Sequence, residues 1–342
     1  MIIGRHCQPR LRRTQRLSVT GASSPLATSR PLSHRMGPHM DDLLFSYADE
    51  TTPRFKRSVI RTVERLTGQP ELKRIYLDNQ LRPRAGESFW SAAVRRLRLD
   101  VRFDAARLAA LPKTGPLVIV ANHPYGVLDG LVIAWLAERI RPDFKILTHA
   151  VLLRAPEAAP QLLPVDFSGS PAAMATNLAS RAAARDHLAQ GGCVVVFPAG
   201  GVSTSPDRLG RKPAQDAPWQ PFTAQLIEKA KAAVAPIYFE GQNSRVFQIA
   251  SHLSLTLRLA LIFHEVRSRM GAELRVAIGA PIDGSDLARA GDRRAQMAEL
   301  RRRTEALASD LPAGRPPARR GEALKSRIAT VTAKLNLSPK RA

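Results

Sequence analysis

The sequence predicts an α/β fold, in which a mixed and largely parallel sheet is flanked by helices and preceded by N-terminal amphipathic helices. Short apolar runs with the length of buried strands recur along the chain, at 116–121, 144–148, 193–197, 234–239 and 274–278. Stretches with helical spacing lie between them, at 131–140, 172–190 and 222–233. Because parallel neighbours need a crossover connection, usually a helix, this alternation is typical of a parallel sheet.

The composition indicates a globular protein with an anionic partner. The chain has 342 residues, 44% of them hydrophobic, and its 52 Lys and Arg outnumber 29 Asp and Glu to give a net charge of +23. Such an excess suits either nucleic acid or an anionic membrane surface. Aromatic residues make up only 5% of the chain, which is few for base stacking, so the membrane surface is favoured and no nucleic acid is expected.

The cysteines and the apolar runs bear on location. Cys7 and Cys193 are too few for a disulfide framework, which favours a reducing compartment. Asp129 and Arg258 interrupt the two longest apolar stretches, which we therefore interpret as core elements rather than membrane spans. Residues 1–39 contain no apolar segment of the kind that a secretory signal requires.

Changes in sequence texture divide the chain into four predicted regions. These are a basic, disordered tail at 1–50, an amphipathic helical segment that associates with a membrane at 51–97, the α/β domain at 98–310, and a second basic tail with room for one helix at 311–342. In the second region, helically spaced apolar residues such as Phe55, Phe89 and Trp90 alternate with arginines. Such helices either lie in a lipid interface or pack on the core, and the sequence leaves both open.

The α/β domain begins with an edge strand and a buried strand. Apolar and charged residues alternate over 97–104, which is typical of a strand with one charged face. The buried strand 116–121 ends abruptly at Asn122 and His123, and a Pro-Tyr-Gly turn leads to Asp129 and the helix 131–140. The α/β enzymes display catalytic groups at this position, the carboxyl end of a buried strand.

His123 and Asp129 form a candidate catalytic pair. A carboxylate that accepts the Nδ1 proton of a histidine fixes its tautomer, and Nε2 can then take a proton from a hydroxyl group. Each residue also has a structural alternative, since Asp129 can cap the helix and His123 can complete a loop hydrogen bond. The sequence shows no metal-ligand cluster and no glycine-rich nucleotide motif, so no metal and no cofactor are predicted.

This turn resembles a known motif. Residues 122–130 (Asn-His-Pro-Tyr-Gly-Val-Leu-Asp-Gly) are similar to the His-(x)n-Asp motif of the glycerolipid acyltransferase superfamily, which includes the 1-acylglycerol-3-phosphate acyltransferases. Five residues separate the His from the Asp where the motif usually has four, and this longer form resembles the hemolysin-like and ornithine-lipid branch. The resemblance covers 99–282 and implies an acyltransferase domain at 98–310. It implies a general base, its partner and two binding residues, namely His123, Asp129, Asn122 and Gly126.

A second turn resembles the third block of the same family. Residues 197–203 (Phe-Pro-Ala-Gly-Gly-Val-Ser) are similar to Phe-Pro-Glu-Gly-Thr-Arg-Ser. Val202 replaces the arginine, the group most suited to hold a phosphomonoester. A glycine turn at a strand end can still aim N–H groups at an oxyanion, although an ordinary turn is the alternative. The resemblance implies oxyanion- or substrate-binding roles for Phe197, Pro198, Gly200, Gly201 and Ser203.

Two further blocks complete the resemblance. The second block has a phosphate-binding arginine where this sequence offers Phe167 and Ser168. Replacement charge could come from a predicted mobile loop, 204–221, which contains Arg208, Arg211 and Lys212. The fourth block resembles the strand around Pro236, and the residues after it are candidates either for the acceptor pocket or for an ordinary turn, namely Asn243 and Ser244.

The resemblance implies an O-acyltransferase that moves a fatty acyl group from acyl-carrier protein or acyl-CoA, as co-substrate, to the hydroxyl of a lysolipid. The missing arginines favour a lysophospholipid or lyso-ornithine lipid as acceptor over lysophosphatidic acid. The expected location is peripheral, on the cytoplasmic face of the inner membrane. The alternatives are an esterase or thioesterase that uses the same histidine, and a basic nucleic-acid-binding protein.

Overall fold

The computed structural model describes residues 54–55, 57–58, 61–62 and 68–314. The predicted tail at 1–50, most of the first amphipathic helix and residues 315–342 lie outside the described residues. The strands are β1 Asp100–Arg102, β2 Leu117–Ala121, β3 Lys145–His149, β4 Leu162–Val165, β5 Cys193–Val196, β6 Ala233–Phe239 and β7 Glu273–Ile278. The α-helices are α1 Gln69–Leu81, α2 Phe89–Arg96, α3 Ala105–Ala109, α4 Val127–Ile140, α5 Pro171–Ala189, α6 Pro221–Ala230, α7 Arg245–Leu253, α8 Leu255–Ser268, α9 Gly284–Ala288 and α10 Arg293–Ala306.

The strands form one seven-stranded sheet with the order β1-β7-β6-β2-β5-β3-β4. Neighbours are parallel except for β6 and β7, which are antiparallel. The prediction of a mixed, largely parallel α/β sheet flanked by helices is confirmed. Because β2 lies at the centre between parallel β5 and β6, the turns that follow these three strands gather at one edge of the sheet.

The central strand shows why the sheet is covered on both faces. All five residues of β2 are buried, and successive side chains point to opposite faces. Leu117 and Ile119 join the core cluster under α2 and α4, whereas Val118 and Val120 join a second cluster under α5, α6 and α10. The continuous apolar run therefore serves two cores, as expected of a parallel strand.

The edge strand is shorter than the alternating pattern predicts. Leu97 ends α2 as its C-cap, and Arg98 has a positive φ of 55°, so the extended backbone begins only at Asp100. β1 pairs with β7 and lies at the edge of the sheet, which confirms the predicted edge position.

The second amphipathic segment forms α2, whose apolar side faces the core. Trp90, Val94 and Leu97 are buried, and the Ser88 hydroxyl caps the helix by accepting a hydrogen bond of 3.0 Å from Ser91 N–H. The apolar side of this helix therefore packs on the core. The membrane role of 51–97 stays a prediction.

The apolar helical stretch around His252 and His264 is divided in two. Ser254 is extended, and its hydroxyl accepts a 3.2 Å hydrogen bond from Thr256 N–H, so α7 ends and α8 begins at this corner. The corner leaves Leu253 72% and Leu255 68% exposed. Among the described residues, no helix combines the length and the apolar character needed to cross a membrane.

Candidate active site

The turns after β2 and β5 meet at the carboxyl edge of the sheet. The two strands are parallel neighbours whose register pairs Val120 with Val196, so both end at the same level. The Ser203 N–H, late in the second turn, donates a 2.8 Å hydrogen bond to the His123 carbonyl oxygen in the first. Two segments that are distant in the sequence therefore form one site.

His123 and Asp129 lie against each other in the turn after β2. His123 Nδ1 is 2.9 Å from Asp129 Oδ2, a hydrogen-bond distance, although the ring N–H direction departs from the line between the two atoms. The side chain of His123 is 16% exposed and that of Asp129 is 0% exposed. With Nδ1 turned to the carboxylate, Nε2 is the nitrogen that remains for a substrate hydroxyl.

The backbone of the same turn holds the carboxylate of Asp129. The carboxylate accepts hydrogen bonds from the N–H groups of Tyr125 at 2.9 Å and Gly126 at 3.0 Å. Burial raises the pKa of Asp129, while the contacts with His123 and with these N–H groups oppose the rise by stabilising the charged form. Asp129 therefore caps the start of α4 and contacts His123 at once. For this reason α4 begins at Val127, four residues before the predicted start at 131.

Gly126 is required by its conformation and by its surroundings. Its φ is +83°, and a Cβ at this position would lie 3.0 Å from Val202 Cγ2 and 3.2 Å from Ile262 Cδ1. A larger residue would therefore be strained and would also push the second turn and α8 away from the first turn.

The aromatic ring of Phe197 stacks on the imidazole of His123. The ring centroids are 4.0 Å apart and the planes are inclined by 29°. Phe197 follows β5 directly, so the second turn supports one face of the histidine that the first turn presents.

A cavity of about 640 Å³ opens beside His123. The two turns form one part of its wall, and apolar side chains of α8 (Leu255, Leu259 and Ile262) form another. Two arginines, Arg181 and Arg258, also line it. A mainly apolar cavity with a few convergent polar groups is the usual form of a site for a small molecule or a lipid chain.

Six of the predicted site residues line this cavity, namely His123, Gly126, Phe197, Pro198, Gly200 and Gly201. The two glycines differ in their backbone. The Gly200 N–H donates a 3.0 Å hydrogen bond to the Phe197 carbonyl oxygen and is therefore engaged within its own turn. The Gly201 N–H makes no hydrogen bond within the described residues, so Gly201 is the better candidate for an oxyanion donor.

Besides buried Asp129, four other predicted residues do not line the cavity. The amide of Asn122 bonds both the N–H and the carbonyl oxygen of Phe239, which joins the ends of β2 and β6. The amide of buried Asn243 donates to the Tyr125 carbonyl oxygen at 3.4 Å. Ser244 caps α7. The buried Ser203 hydroxyl donates to an aspartate at 2.5 Å. These four side chains support the site and do not face the cavity.

That aspartate is Asp216, which the sequence analysis missed. It is buried, and besides the Ser203 hydroxyl it accepts hydrogen bonds from the His123 backbone N–H at 3.2 Å and from the indole N–H of Trp219 at 2.9 Å. Asp216 lies in the segment 204–221, which the composition predicts to be a mobile loop. One aspartate in a polar loop carries no sequence signal for this position.

The cations of the cavity also differ from those expected. Arg208, Arg211 and Lys212 are exposed and do not line the cavity. Its charge comes from Arg181 on α5, whose guanidinium lies 4.8 Å from the Phe222 ring centroid, and from Arg258 on α8. In the part of the chain that the structure describes, no group of His, Cys, Asp and Glu is arranged to hold a metal ion.

Comparisons with known proteins relate the chain to acyltransferases. A family model described as "Acyltransferase" matches residues 63–314. The "Lyso-glycine lipid O-acyltransferase" of Phocaeicola vulgatus is 26% identical over 238 residues, which cover 67% of this chain and 79% of that protein. The protein with the same name from Bacteroides thetaiotaomicron is 23% identical over 250 residues, 71% of this chain and 87% of that protein.

Among solved structures, the 1-acyl-sn-glycerophosphate acyltransferase PlsC from Thermotoga maritima is similar, with a TM-score of 0.43 and 16% identity over 76% of this chain and 91% of that one.

The fold and the site define an α/β enzyme with a histidine–carboxylate pair at a strand end beside a largely apolar cavity. Since the family model matches more than half of its length, the chain belongs to this acyltransferase family. It is an acyltransferase enzyme.

Proposed function

We propose that this protein transfers a fatty acyl group from a thioester donor to the hydroxyl of a lysolipid. The observation that carries the proposal is the 2.9 Å contact between His123 Nδ1 and buried Asp129 at the edge of a cavity with an apolar wall. Such a pair suits the deprotonation of an alcohol, and the apolar wall suits an acyl chain. The lysolipid activity named for the two bacterial relatives supports the same choice.

The reaction needs a base because an alcohol is a weak nucleophile at neutral pH. The acceptor hydroxyl donates its proton to His123 Nε2 as its oxygen attacks the thioester carbonyl carbon, and Asp129 stabilises the imidazolium that forms. Base catalysis of this kind contributes roughly 10²–10⁴ in rate. The Gly201 N–H stabilises the oxyanion of the tetrahedral intermediate. When this intermediate collapses, the C–S bond breaks and the donor leaves as a thiolate, which takes the proton from His123. No covalent acyl-enzyme and no further cofactor take part.

The donor is acyl-carrier protein or acyl-CoA, both of which are anionic. The net charge of +23 supports either, since a basic surface steers an acidic partner to the site. The acceptor is a lysolipid without a phosphomonoester. Val202 in place of the family's arginine argues for this choice, and the named activity of the relatives points to a lipid with an amino-acid headgroup.

The acceptor reaches the site from an anionic membrane, at whose cytoplasmic face the protein is peripheral. Exposed apolar side chains at the cavity mouth support this view. Phe167, 59% exposed, and Leu255, 68% exposed, both line the cavity. Met174 and Leu178 on α5 are each 63% exposed and alternate with two cavity residues, Asn177 and Arg181, at helical spacing.

The main test combines a labelled donor with and without a panel of lysolipid hydroxyl acceptors. Acylated lipid that forms only with an acceptor, and disappears in His123→Ala, supports the proposal. Release of free fatty acid at the same rate without any acceptor identifies a thioesterase or esterase instead. Salt-dependent binding of DNA, with no acyl transfer, would favour the nucleic-acid-binding alternative.

Flotation with anionic vesicles tests the membrane surface. The double variant Met174→Ser/Leu178→Ser should bind less, because apolar area that enters the lipid is lost. Leu209→Ser is the control, since Leu209 is 47% exposed but does not line the cavity. Equal binding of both variants would place the membrane contact elsewhere.

A further inference from the structure

Arg258 projects into the cavity from the beginning of α8. It is the fourth residue of this helix, which starts at Leu255. Its guanidinium touches the turn after β5, because Nη1 donates to the Thr204 hydroxyl at 3.0 Å and Nη2 donates to the Val202 carbonyl oxygen at 2.5 Å. A guanidinium has five N–H groups, so three of them have no partner within the described residues.

Arg258 is a partly buried cation without a counter-ion. No carboxylate pairs with it among the described residues, and burial lowers the pKa of its guanidinium. The position also opposes it, because the first turn of a helix favours anions over cations. An uncompensated cation at such a place is costly. The acceptors of its two hydrogen bonds are neutral, and so is the Phe247 ring, whose centroid lies 5.7 Å from the guanidinium carbon. The charge therefore has no counter-ion among the described residues.

Arg141 provides a comparison, because it is a buried arginine whose charge and hydrogen bonds are satisfied within the protein. Arg141 is 4% exposed, and Asp143 neutralises it through two hydrogen bonds of 3.0 Å. The carbonyl oxygens of Gly115 and Gly191 accept two more. Arg258 lacks such a carboxylate among the described residues, and it lines the cavity, so an anion bound in the cavity can supply the missing partner.

The place of Arg258 fits an anion of the substrate. It donates a hydrogen bond to the carbonyl oxygen of Val202. Val202 stands where the third block of the family has an arginine, so Arg258 places a positive charge close to the position of that missing arginine. The neighbouring turn residue leaves room, because a Cβ on Gly201 would still be 4.0 Å from Arg258 Nη2. The N-terminal end of α8 adds to the positive potential there.

We propose that Arg258 binds the headgroup carboxylate of the acceptor, and thereby selects a lysolipid with a free carboxylate, such as an N-acyl amino acid. This inference rests on the proposed lysolipid acyl transfer. One unpaired guanidinium matches one negative charge, and its planar fork matches the two oxygens of a carboxylate. A phosphomonoester carries up to two charges, and the other cation of the cavity, Arg181, is exposed and lies over Phe222.

The first measurement is turnover with matched acceptors. Wild type, Arg258→Gln and Arg258→Lys are assayed with a 3-hydroxyacyl amino acid, with its methyl ester and with lysophosphatidic acid. Arg258→Gln should raise KM for the acid about 10- to 100-fold and leave KM for the ester unchanged, because only the acid loses a charged hydrogen-bond partner. Arg258→Lys should recover part of the loss. The KM for the donor should stay constant.

The second measurement is equilibrium binding, which does not depend on turnover. N-palmitoylglycine has the carboxylate but no hydroxyl to acylate, so it binds without reacting. Its affinity should fall about 10- to 100-fold in Arg258→Gln, and the affinity of its methyl ester should not change. If wild type transfers no acyl group to any acceptor but shows this binding pattern, the proposed function fails and the carboxylate site stands.

Arg267→Gln is the matched control on the same helix. Arg267 is exposed and pairs with Glu71 at 2.7 Å, so its loss should leave KM and affinity within about twofold of wild type. Equal losses for acid and ester in Arg258→Gln, with a lower melting temperature, would reduce Arg258 to a clamp on the Val202 turn. A rise only in the donor KM, or a selective loss with lysophosphatidic acid, would also overturn the assignment.

Discussion

The two walls of the cavity are held in different ways. Directional hydrogen bonds fix the wall made by the turns after β2 and β5, where Asp129 and Asp216 accept backbone and side-chain donors. Apolar side chains of α8 form the other wall, where packing sets the shape. Hydrogen bonds tolerate little displacement, whereas apolar contact has no preferred direction. The first wall therefore suits chemistry at a fixed point, and the second suits a chain of variable length.

Removal of the His123 imidazole should have the largest effect on activity of any change in the first wall. His123→Ala should lower kcat by roughly 10²–10⁴, because the acceptor hydroxyl loses its base. Acyl transfer and thermal unfolding are measured together, and the melting temperature should change little. His252→Ala is the matched control, since that ring bonds the Ser205 carbonyl oxygen at 2.8 Å and does not line the cavity. Nearly full activity in His123→Ala would remove the base from the mechanism.

Asp129→Asn should have the next largest effect. An amide has the shape of the carboxylate but no charge to stabilise the imidazolium, so kcat should fall about 10- to 100-fold, as for the loss of one charged hydrogen bond. Single-turnover rates at saturating acceptor separate this loss from weaker binding. A rate equal to that of wild type would leave Asp129 only its role as the cap of α4.

Asp216→Asn tests whether the two turns must be joined. Asp216 accepts from the Ser203 hydroxyl, the His123 backbone and the Trp219 indole, and an asparagine oxygen can serve only part of this set. Unfolding in urea should show a loss of about 1–3 kcal/mol. Activity should fall about tenfold as the turns loosen. Lower stability with full activity would show that the joint serves folding alone.

A substitution on the second wall should change preference rather than rate. Leu259→Trp fills part of the apolar space, so the longest acyl chains should lose kcat/KM by about fourfold for each excluded CH₂, which corresponds to about 0.8 kcal/mol. Short chains should react as in wild type. The measurement is a series of donors of graded chain length, with Leu209→Trp as the control outside the cavity. A uniform loss at every length would mean that α8 also positions the reacting groups.

The smallest expected effect is a pH dependence of stability. Burial raises the pKa of Asp129 above its ordinary value, so the folded protein binds the proton more tightly than the unfolded chain does. The stability contributed by this proton is present below the unfolded pKa and is lost as the pH rises through the folded pKa. Because Asp129→Asn cannot titrate, its stability relative to wild type should increase between pH 3 and pH 8. Urea unfolding at both pH values measures the difference, and a difference that decreases would reverse the sign of the shift.

Local patterns predicted most of the sheet and part of the cavity lining. Apolar runs set by backbone periodicity gave β2, β5 and β6 within about a residue of their observed bounds. The pair His123 and Asp129 was also within reach, because one strand–turn–helix unit holds both residues and six positions of chain can bring them together. The same unit explains why Asp129 caps α4 and contacts the histidine.

Contacts between segments that are distant in the sequence could not be predicted from local patterns. Arg258 meets the turn after β5 only because α8 packs against that turn, and Asp216 meets His123 only because the segment 204–221 folds back to the turn after β2. Ser203 and Asn243 had the residue types of a binding site, yet the tertiary structure turns their side chains inward.

The sequence by itself therefore determined which strand carries His123 and that Asp129 accompanies it, since short-range sterics and alternation decide such geometry. Only the tertiary structure decided which residues surround this pair. The order of the strands and the packing of α8 set those neighbours, and these depend on how two apolar faces are covered rather than on any short run of residues.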